Sequence, residues 1–118
     1  MKNQKLGDKG ENLAAKYLAE KGYEVLYRNY RYKKAEIDII ATNGTLLVFV
    51  EVKTRSGTGF GFPEAAITPK KVEMMQLAAE YFMEEEQLPE NFLLRFDVVS
   101  IVVRGEKYEI EHIEDAIG

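Results

Sequence analysis

Four charged residues stand among apolar residues between Ala35 and Arg55, and their types suit metal-assisted chemistry. They are Glu36, Asp38, Glu51 and Lys53. Carboxylate oxygens are ligands that Mg²⁺ accepts, usually together with water and phosphate oxygens. A lysine beside them can position a water or balance negative charge that develops on a phosphate. The residue types therefore indicate a candidate site for Mg²⁺ or Mn²⁺.

The segment that carries these charges has the pattern of a β-hairpin. Asn43-Gly44 lies between alternating apolar runs, which is a strong hairpin signal, and a two-residue turn there would fix the register. Glu36 would then face Glu51, and Asp38 would be a diagonal neighbour of Glu51, with backbones about 7 Å apart. Glu36, Asp38, Glu51 and Lys53 would share one face of the sheet. The other face would be apolar, with Ile37, Ile39, Ala41, Leu46, Val48, Val50 and Val52.

Spacing alone is equally compatible with ordinary surface charges in exposed salt bridges worth about 0 to 1 kcal/mol each. The position of Glu11 favours a metal site over surface salt bridges. Glu11 stands at helical spacing from Ala14, Ala15 and Leu18, so it shares a stripe with residues that look inward. A third inward carboxylate is costly without a purpose.

The elements that must position these residues follow from periodicity and capping signals. A helix is expected from Asp8 to about Lys21, with Asp8 as N-cap and Gly22 as the stop. A second helix is expected after the cap Thr68, with Pro69 at its first position. Strands are expected at 23–32, on both sides of Asn43-Gly44, at 93–103 and at 107–113. The prediction is one α/β domain over residues 1–118, in the order αβββαββ, with a mixed central sheet flanked by helices.

Composition limits the function classes. The chain has 118 residues, a net charge of −4 and no cysteine, so thiolate metal sites and thiol nucleophiles are excluded. The polar N-terminus lacks the apolar stretch of a secretory signal, and no run is long enough to cross a membrane. We expect a cytoplasmic protein that does not bind a membrane.

Basic residues cluster near the candidate site despite the acidic total. Those expected to contact DNA phosphates are Arg28, Arg31, Lys33, Lys34, Arg55, Lys70 and Lys71. Lys70 and Lys71 fall in the first turn of a helix, where the helix dipole disfavours cations unless a phosphate binds. The alternative is that these side chains are simply solvated. Phe60 and Phe62, in a glycine-rich segment, would either wedge against distorted DNA or pin the loop to the core.

Two further polar residues have structural explanations. Asp97 interrupts an apolar strand beside Arg95, which favours a structural ion pair. His112 is the only histidine, and without a partner motif it is not expected to be catalytic.

Together these residues resemble a known family. Glu11 in a first helix is followed by Ala35-Glu36-Ile37-Asp38, then Phe49-Val50-Glu51-Val52-Lys53-Thr54-Arg55, then Arg95-Phe96-Asp97-Val98-Val99. This series resembles the uncharacterised bacterial YraN family, which is grouped with the PD-(D/E)xK nucleases and is similar to archaeal Holliday junction resolvases. The resemblance covers nearly the whole chain. Ile37 stands where the motif name implies proline, and Ala35 stands where relatives commonly carry glycine.

The resemblance implies a restriction-endonuclease-like fold and a divalent-metal-dependent endonuclease that cuts branched or distorted DNA. The oligomeric state stays open, although a homodimer would suit cutting both strands of a two-fold junction. By the same resemblance, Asp38, Glu51 and the Val52 carbonyl would hold Mg²⁺ or Mn²⁺. Lys53 would assist the attacking water, and Glu11 would orient it or bind a second ion.

Two rival hypotheses come from other classes. A nucleic-acid-binding adaptor with this fold but without catalysis needs the basic residues and not the acids. A protein-interaction domain would use Phe60, Phe62 and the methionine-bearing helix as an apolar patch.

Overall fold

The sheet and its helices follow the predicted order. The structure is a computed structural model that describes residues 2–57, 68–88 and 91–116, with side chains from residue 6. The helices within this part are α1 (Lys2–Glu20) and α2 (Pro69–Glu85). The strands are β1 (Glu24–Tyr32), β2 (Ala35–Thr42), β3 (Leu46–Ser56), β4 (Leu93–Arg104) and β5 (Lys107–Ile113). The predicted αβββαββ order is confirmed, and Phe60 and Phe62 lie outside the described residues.

The sheet is mixed, as predicted, because one connection crosses over through a helix. Its strands lie in the order β1-β2-β3-β4-β5. β3 and β4, joined through α2, pair in parallel from Leu46↔Leu93 to Ser56↔Val103. The other neighbouring pairs are antiparallel. The parallel pair therefore sits at the centre, where it is covered on both faces.

A separate apolar cluster lies on each face of the sheet. On the α1 side, Ala14 and Leu18 pack on Val50 and Val99. On the α2 side, Phe82 packs among buried residues of β1, β2 and β3. Helices thus cover the apolar sheet faces, as the sequence predicted. In the described residues, neither helix is both long and apolar enough to span a membrane.

Two helix ends lie where capping signals predicted them. Thr68 caps α2 by accepting a hydrogen bond from Lys71 N–H at 3.2 Å, with Pro69 at the first position. Gly22 ends α1 with φ of 97°, and Tyr23 N–H donates to Leu18 C=O at 3.0 Å. This is the expected αL glycine stop.

The predicted start of α1 at Asp8 is wrong, because the helix begins at Lys2. An N-cap is worth only about 1 kcal/mol. Extending the helix adds backbone hydrogen bonds and lets Leu6 pack against the α1-side cluster. These contacts outweigh the local signal at Asp8.

The predicted hairpin register is also wrong, by two residues. Thr42 pairs with Leu47, and Ile39 pairs with Val50. Asn43 N–H donates to Leu46 C=O at 3.3 Å, so the turn is centred on Gly44 and Thr45 instead of Asn43-Gly44. Gly44, with φ of 122°, takes the first central position of the turn Gly44-Thr45. The alternative turn Asn43-Gly44 would need positive φ at Asn43 as well as at Gly44.

Candidate functional site

The candidate site forms where β2 parts from β3. The regular pairing of these strands ends at Ile39↔Val50, one step before Asp38 would meet Glu51. Ile39 packs on the α1 side of the sheet, whereas Ile37 packs with Ile40 on the α2 side. Regular alternation would place Ile37 and Ile39 on one face, so the strand is irregular at Asp38 and the prediction of a uniform apolar face is wrong.

The carboxylate of Asp38 takes the place of a ladder hydrogen bond. Its Oδ2 accepts a hydrogen bond from Val52 N–H at 2.7 Å. The pKa of Asp38 is raised to about 6, chiefly by burial. The hydrogen bond from Val52 acts to lower this pKa, and the negative charges of Glu51, Glu11 and Glu36 act to raise it. A half-buried acid that has, among the described residues, one hydrogen-bond donor and three acidic neighbours favours a cation or a proton.

A cleft of about 640 Å³ opens beside Asp38 on the α1 side. It lies between the N-terminal half of α1 and the C-terminal end of β3. Its lining consists of Leu6, Gly7, Asp8, Glu11, Asn29, Glu36, Asp38, Val52, Thr54, Arg55 and Ser56. The lining therefore contains several of the predicted site residues.

Gly10 allows α1 to approach β3 closely beside this cleft. A Cβ added at Gly10 would overlap Thr54 Oγ1, so the helix backbone rests on the strand without a spacer. The next residue, Glu11, consequently lies over the sheet next to Asp38, and its side chain is only 12% exposed. The inward position predicted for Glu11 is confirmed.

The Glu11 carboxylate is held by β1. Arg28 Nε donates to Glu11 Oε1 at 2.9 Å, and Asn29 Nδ2 donates to the same oxygen at 3.1 Å. Asn29 has φ of 56°, a conformation that asparagine adopts more readily than most residues. Its amide is aimed at Glu11 by this local distortion of the strand.

Glu51 points away from Asp38's side of the sheet. Its neighbours Val50 and Val52 pack on the α1 side, so the Glu51 side chain lies on the α2 side. There its Oε1 lies 3.6 Å from Lys71 Nζ. The prediction that Asp38, Glu51 and Lys53 share one face is therefore wrong, although the gap between β2 and β3 lets the Asp38 and Glu51 charges interact.

The predicted DNA-contacting residues divide into two groups. Arg28, Arg31 and Lys71 form ion pairs with Glu11, Glu36 and Glu51 respectively. The remaining four are Lys33, which lies over the Tyr32 ring, Arg55, which lines the cleft, and the exposed Lys34 and Lys70. Three of the seven predicted basic residues thus contact acidic residues of the candidate site.

The donor chemistry fits a hard divalent ion. Within the described part of the chain the side chains are carboxylates without sulfur or imidazole ligands, and Asp38 is desolvated with Val52 N–H as its one hydrogen-bond donor there. Within residues 2–57, 68–88 and 91–116, however, no three acidic or histidine side chains are arranged to hold an ion. Glu11, Asp38 and Glu51 are neighbours without forming a closed set of ligands.

A second buried acid lies toward the other end of α1. Asp97 is fully buried and receives two hydrogen bonds from Arg95, both at 2.9 Å, and one from Asp115 N–H at 3.0 Å. His112 Nε2 lies 2.7 Å from Asp97 Oδ2, and His112 Nδ1 lies 3.3 Å from the Tyr17 hydroxyl. The structural pair predicted for Asp97 is confirmed. The network continues to Tyr23 and Lys21.

Three contributors to the site were missed by sequence reasoning. Asn29 in a strand is a weak signal for a distorted backbone, because asparagine is depleted in strands. Gly10 and Thr54 gave no signal, since their contact joins residues that are far apart in the chain.

Comparisons with known proteins agree with the fold. A family model described as "Uncharacterised protein family UPF0102" matches residues 10–101. A UPF0102 protein of Christiangramia forsetii is 45% identical over 114 residues, which are 97% of this chain and 94% of the relative. Another, from Caldicellulosiruptor saccharolyticus, is 43% identical over 118 residues, which are 98% of this chain and 99% of the relative.

A solved structure has a similar architecture. It is Hjc, a Holliday junction resolvase of the archaeal hyperthermophile Archaeoglobus fulgidus, with a TM-score of 0.50 and 16% sequence identity. The match covers 88% of this chain and 72% of that chain. At this identity the likeness concerns the fold, a mixed five-stranded sheet with a helix on each face. The match to the family model and the close relatives show that this chain belongs to the uncharacterised protein family UPF0102.

Proposed function

We propose that this protein is a divalent-metal-dependent endonuclease that hydrolyses phosphodiester bonds in branched or otherwise distorted DNA. The observation that carries the proposal is Asp38, a half-buried carboxylate with a raised pKa beside a cleft of about 640 Å³, with one hydrogen-bond donor among the residues that the structure describes. Such an acid is destabilising unless a proton or cation neutralises it. The similarity of the fold to a Holliday junction resolvase supports the choice of DNA as substrate.

Asp38 and Glu51 would hold the ion together with the Val52 carbonyl. The N–H and C=O of one strand residue point toward the same neighbouring strand, and Val52 N–H reaches Asp38. The Val52 carbonyl is therefore expected to face the same gap. Glu11, beside Asp38 on the cleft wall, would orient a water or contribute to a second ion. A bound Mg²⁺ or Mn²⁺ supplies Lewis-acid activation of water and stabilises charge on the phosphate.

Lys53 is the proposed group that positions the attacking water or balances charge. It is half-buried on β3, where it pairs with Ser100 of β4, two positions beyond Glu51. An ammonium at that position can hold the attacking water or offset charge that develops on the phosphate oxygens. Arg55, on the cleft wall, and Lys70, in the first turn of α2, are proposed to contact backbone phosphates.

Cleavage of a labelled four-way junction tests the proposal. Wild-type protein is expected to cut the junction with Mg²⁺ or Mn²⁺ and not with EDTA. Lys53→Ala should lower the rate by at least about 100-fold, since loss of a group that stabilises transition-state charge has effects of that size. Lys107→Ala, on the edge strand β5, is the matched control and should cut like wild type. Equal inertness of wild type and Lys53→Ala on junctions, flaps and single strands would contradict the enzymatic function.

A second candidate is a nucleic-acid-binding adaptor with this fold and no catalysis. The observation that favours it is that Glu11, Glu36 and Glu51 are each engaged by a basic side chain. Such a protein would bind DNA without a metal. Junction binding that persists in the double variant Asp38→Asn/Glu51→Gln, with no dependence on Mg²⁺, would favour the adaptor over the nuclease.

The oligomeric state bears on how a junction would be cut. Symmetric cleavage of both strands of a two-fold junction requires two sites, which a homodimer supplies. Sedimentation of the protein with and without a four-way junction tests this. Two protomers per junction are expected.

A further inference from the structure

The three glutamates that surround Asp38 are each paired with a basic side chain. Glu11 Oε1 lies 2.9 Å from Arg28 Nε, and Glu36 Oε2 lies 2.8 Å from Arg31 Nη2. The third pair, Glu51 and Lys71, is longer, at 3.6 Å between Oε1 and Nζ.

In every pair the cation is the more exposed partner. The side chains of Glu11, Glu36 and Glu51 are 12%, 32% and 17% exposed, whereas those of Arg28, Arg31 and Lys71 are 39%, 75% and 41% exposed. Each carboxylate is consequently more shielded from solvent than its cation, and the cations lie outside the carboxylates. A ligand that approaches from solvent meets the basic groups first.

The cations come from two separate elements. Arg28 and Arg31 extend from β1, and Lys71 lies in the first turn of α2, beside Lys70. A polyanion long enough to reach both elements would contact all of these cations, and phosphate is favoured at a helix N-terminus. Double-stranded DNA carries one negative charge per about 1.7 Å of helix axis.

Such pairing opposes metal binding in the free protein. A divalent ion must compete with an ammonium or guanidinium group for the same carboxylate oxygens, and partly exposed pairs of this kind are worth about 0 to 1 kcal/mol each. An ion pair of this strength lowers the affinity of the carboxylate for a metal ion. It is also weak enough for DNA phosphates to draw the cation away from the carboxylate. When phosphates draw the cations outward, the glutamates become available to the ion.

We propose that the three ion pairs act as a counter-ion lock, in which Arg28, Arg31 and Lys71 hold the site glutamates until DNA phosphates take over these cations. DNA binding then raises the affinity for the metal, and by linkage the metal raises the affinity for DNA to the same extent. The lock rests on the proposed function, because it requires that Asp38 and its neighbours bind a divalent ion and that the basic groups bind DNA.

Lys71→Met separates the lock from a plain DNA contact. The probe is Mn²⁺, titrated into the protein and followed by calorimetry and by the electron paramagnetic resonance of the free ion. Without DNA, Lys71→Met should bind Mn²⁺ about 3- to 10-fold more tightly than wild type, since losing a competing pair of up to about 1 kcal/mol and a repulsive charge changes affinity by that factor. A lysine that only contacts DNA would leave Mn²⁺ affinity nearly unchanged.

Lys70→Met is the matched control. Lys70 occupies the same helical turn and carries the same charge, but it forms no ion pair with a residue in the described part of the chain. The variant Lys70→Met should raise Mn²⁺ affinity by less than about 2-fold, because it removes only a screened charge.

The coupling to DNA is measured on a four-way junction with phosphorothioate linkages, which resist cutting. In wild type the junction should tighten Mn²⁺ binding by about 5-fold or more, a usual size for coupling between two sites, and Lys71→Met should reduce this factor. Equal Mn²⁺ affinities for Lys71→Met and Lys70→Met, with binding that is lost in Asp38→Asn, would overturn the lock and leave the metal site standing. No Mn²⁺ binding that depends on Asp38, with or without the junction, would overturn both the lock and the proposed function.

Discussion

Asp38 and Asp97 are two buried or half-buried acids on the same side of one sheet, yet their surroundings are opposite. Asp97 receives hydrogen bonds from Arg95 and Asp115 N–H and contacts His112 at 2.7 Å. Burial acts to raise the pKa of Asp97, but these partners outweigh it and hold the pKa below its usual value. Among the described residues, Asp38 has one donor, Val52 N–H, and its pKa is raised.

The difference separates a structural acid from a candidate functional one. A carboxylate whose oxygens are already saturated by donors stabilises the fold as an anion and offers little to a ligand. A carboxylate that is desolvated, sparsely bonded and close to other acids is held in an unfavourable charge state that a cation can relieve. Substitutions at Asp97, Asp38 and Tyr17 test this contrast, in decreasing order of expected effect.

Asp97→Ala should destabilise the protein by about 3 to 5 kcal/mol at pH 7.5, because it leaves the Arg95 and His112 side chains buried without their carboxylate. Urea unfolding followed by circular dichroism measures this loss. Glu114→Ala is the control, since Glu114 is half-exposed and lies 3.6 Å from the same Arg95, and it should cost less than about 1 kcal/mol. A loss of stability below about 1.5 kcal/mol for Asp97→Ala would mean that Asp97, like Asp38, is not an acid that stabilises the fold.

Asp38→Asn should stabilise the metal-free protein at pH 7.5 by about 1 to 3 kcal/mol, while it removes Mn²⁺ binding. The pKa of Asp38 is about 6 in the folded protein, against an ordinary value of 3.8 for an aspartate, and a tenfold change in proton affinity corresponds to about 1.4 kcal/mol. Because the folded pKa is raised, the stabilising contribution of the protonated acid is complete below pH 3.8 and is lost as the pH rises to about 6.

The amide in Asp38→Asn avoids this penalty and can still accept the hydrogen bond from Val52. The stability of Asp38→Asn relative to wild type should therefore fall as the pH decreases from about 7.5 to about 4. Urea unfolding across that pH range would measure this change. Asp97→Asn should show the opposite pH dependence. It should lose most stability relative to wild type above about pH 5 and less at lower pH. A variant Asp38→Asn that is less stable than wild type at pH 7.5 would mean that the ionised Asp38 carboxylate stabilises the fold.

Tyr17→Phe should cost about 0.5 to 1.5 kcal/mol, the usual range for one intramolecular hydrogen bond. It removes the hydroxyl that lies 3.3 Å from His112 Nδ1 and keeps the ring, which packs edge-on against His112. Tyr108→Phe on the exposed strand β5 is the matched control and should change stability by less than about 0.5 kcal/mol. Similar values for the two variants would show that the network around Asp97 ends at His112.

Sequence patterns predicted what depends on local chemistry. Thr68-Pro69 marks the start of α2 because a cap and a proline act within one turn, and β5 has the predicted bounds 107–113. The hairpin turn was misplaced by one residue because the choice between Asn43-Gly44 and Gly44-Thr45 depends on which residue takes positive φ. That single step changes every cross-strand pair.

The parts of the site that sequence could not predict depend on contacts distant along the chain. The irregularity at Asp38 exists because Ile37 and Ile39 pack against opposite helices. The pairing of Glu51 with Lys71 depends on where α2 crosses the sheet. A pattern of alternating residues contains neither fact, so the acids were predicted correctly as neighbours and incorrectly as residues of one face.

Gly10 and Gly7 look alike in the sequence and should have different evolutionary histories. A Cβ at Gly10 would overlap Thr54, whereas one at Gly7 meets nothing within 4 Å. Homologues are thus expected to vary freely at position 7 and to keep glycine at position 10. Where alanine occurs at position 10, a smaller residue than threonine should accompany it at position 54, as a pair of substitutions inherited together.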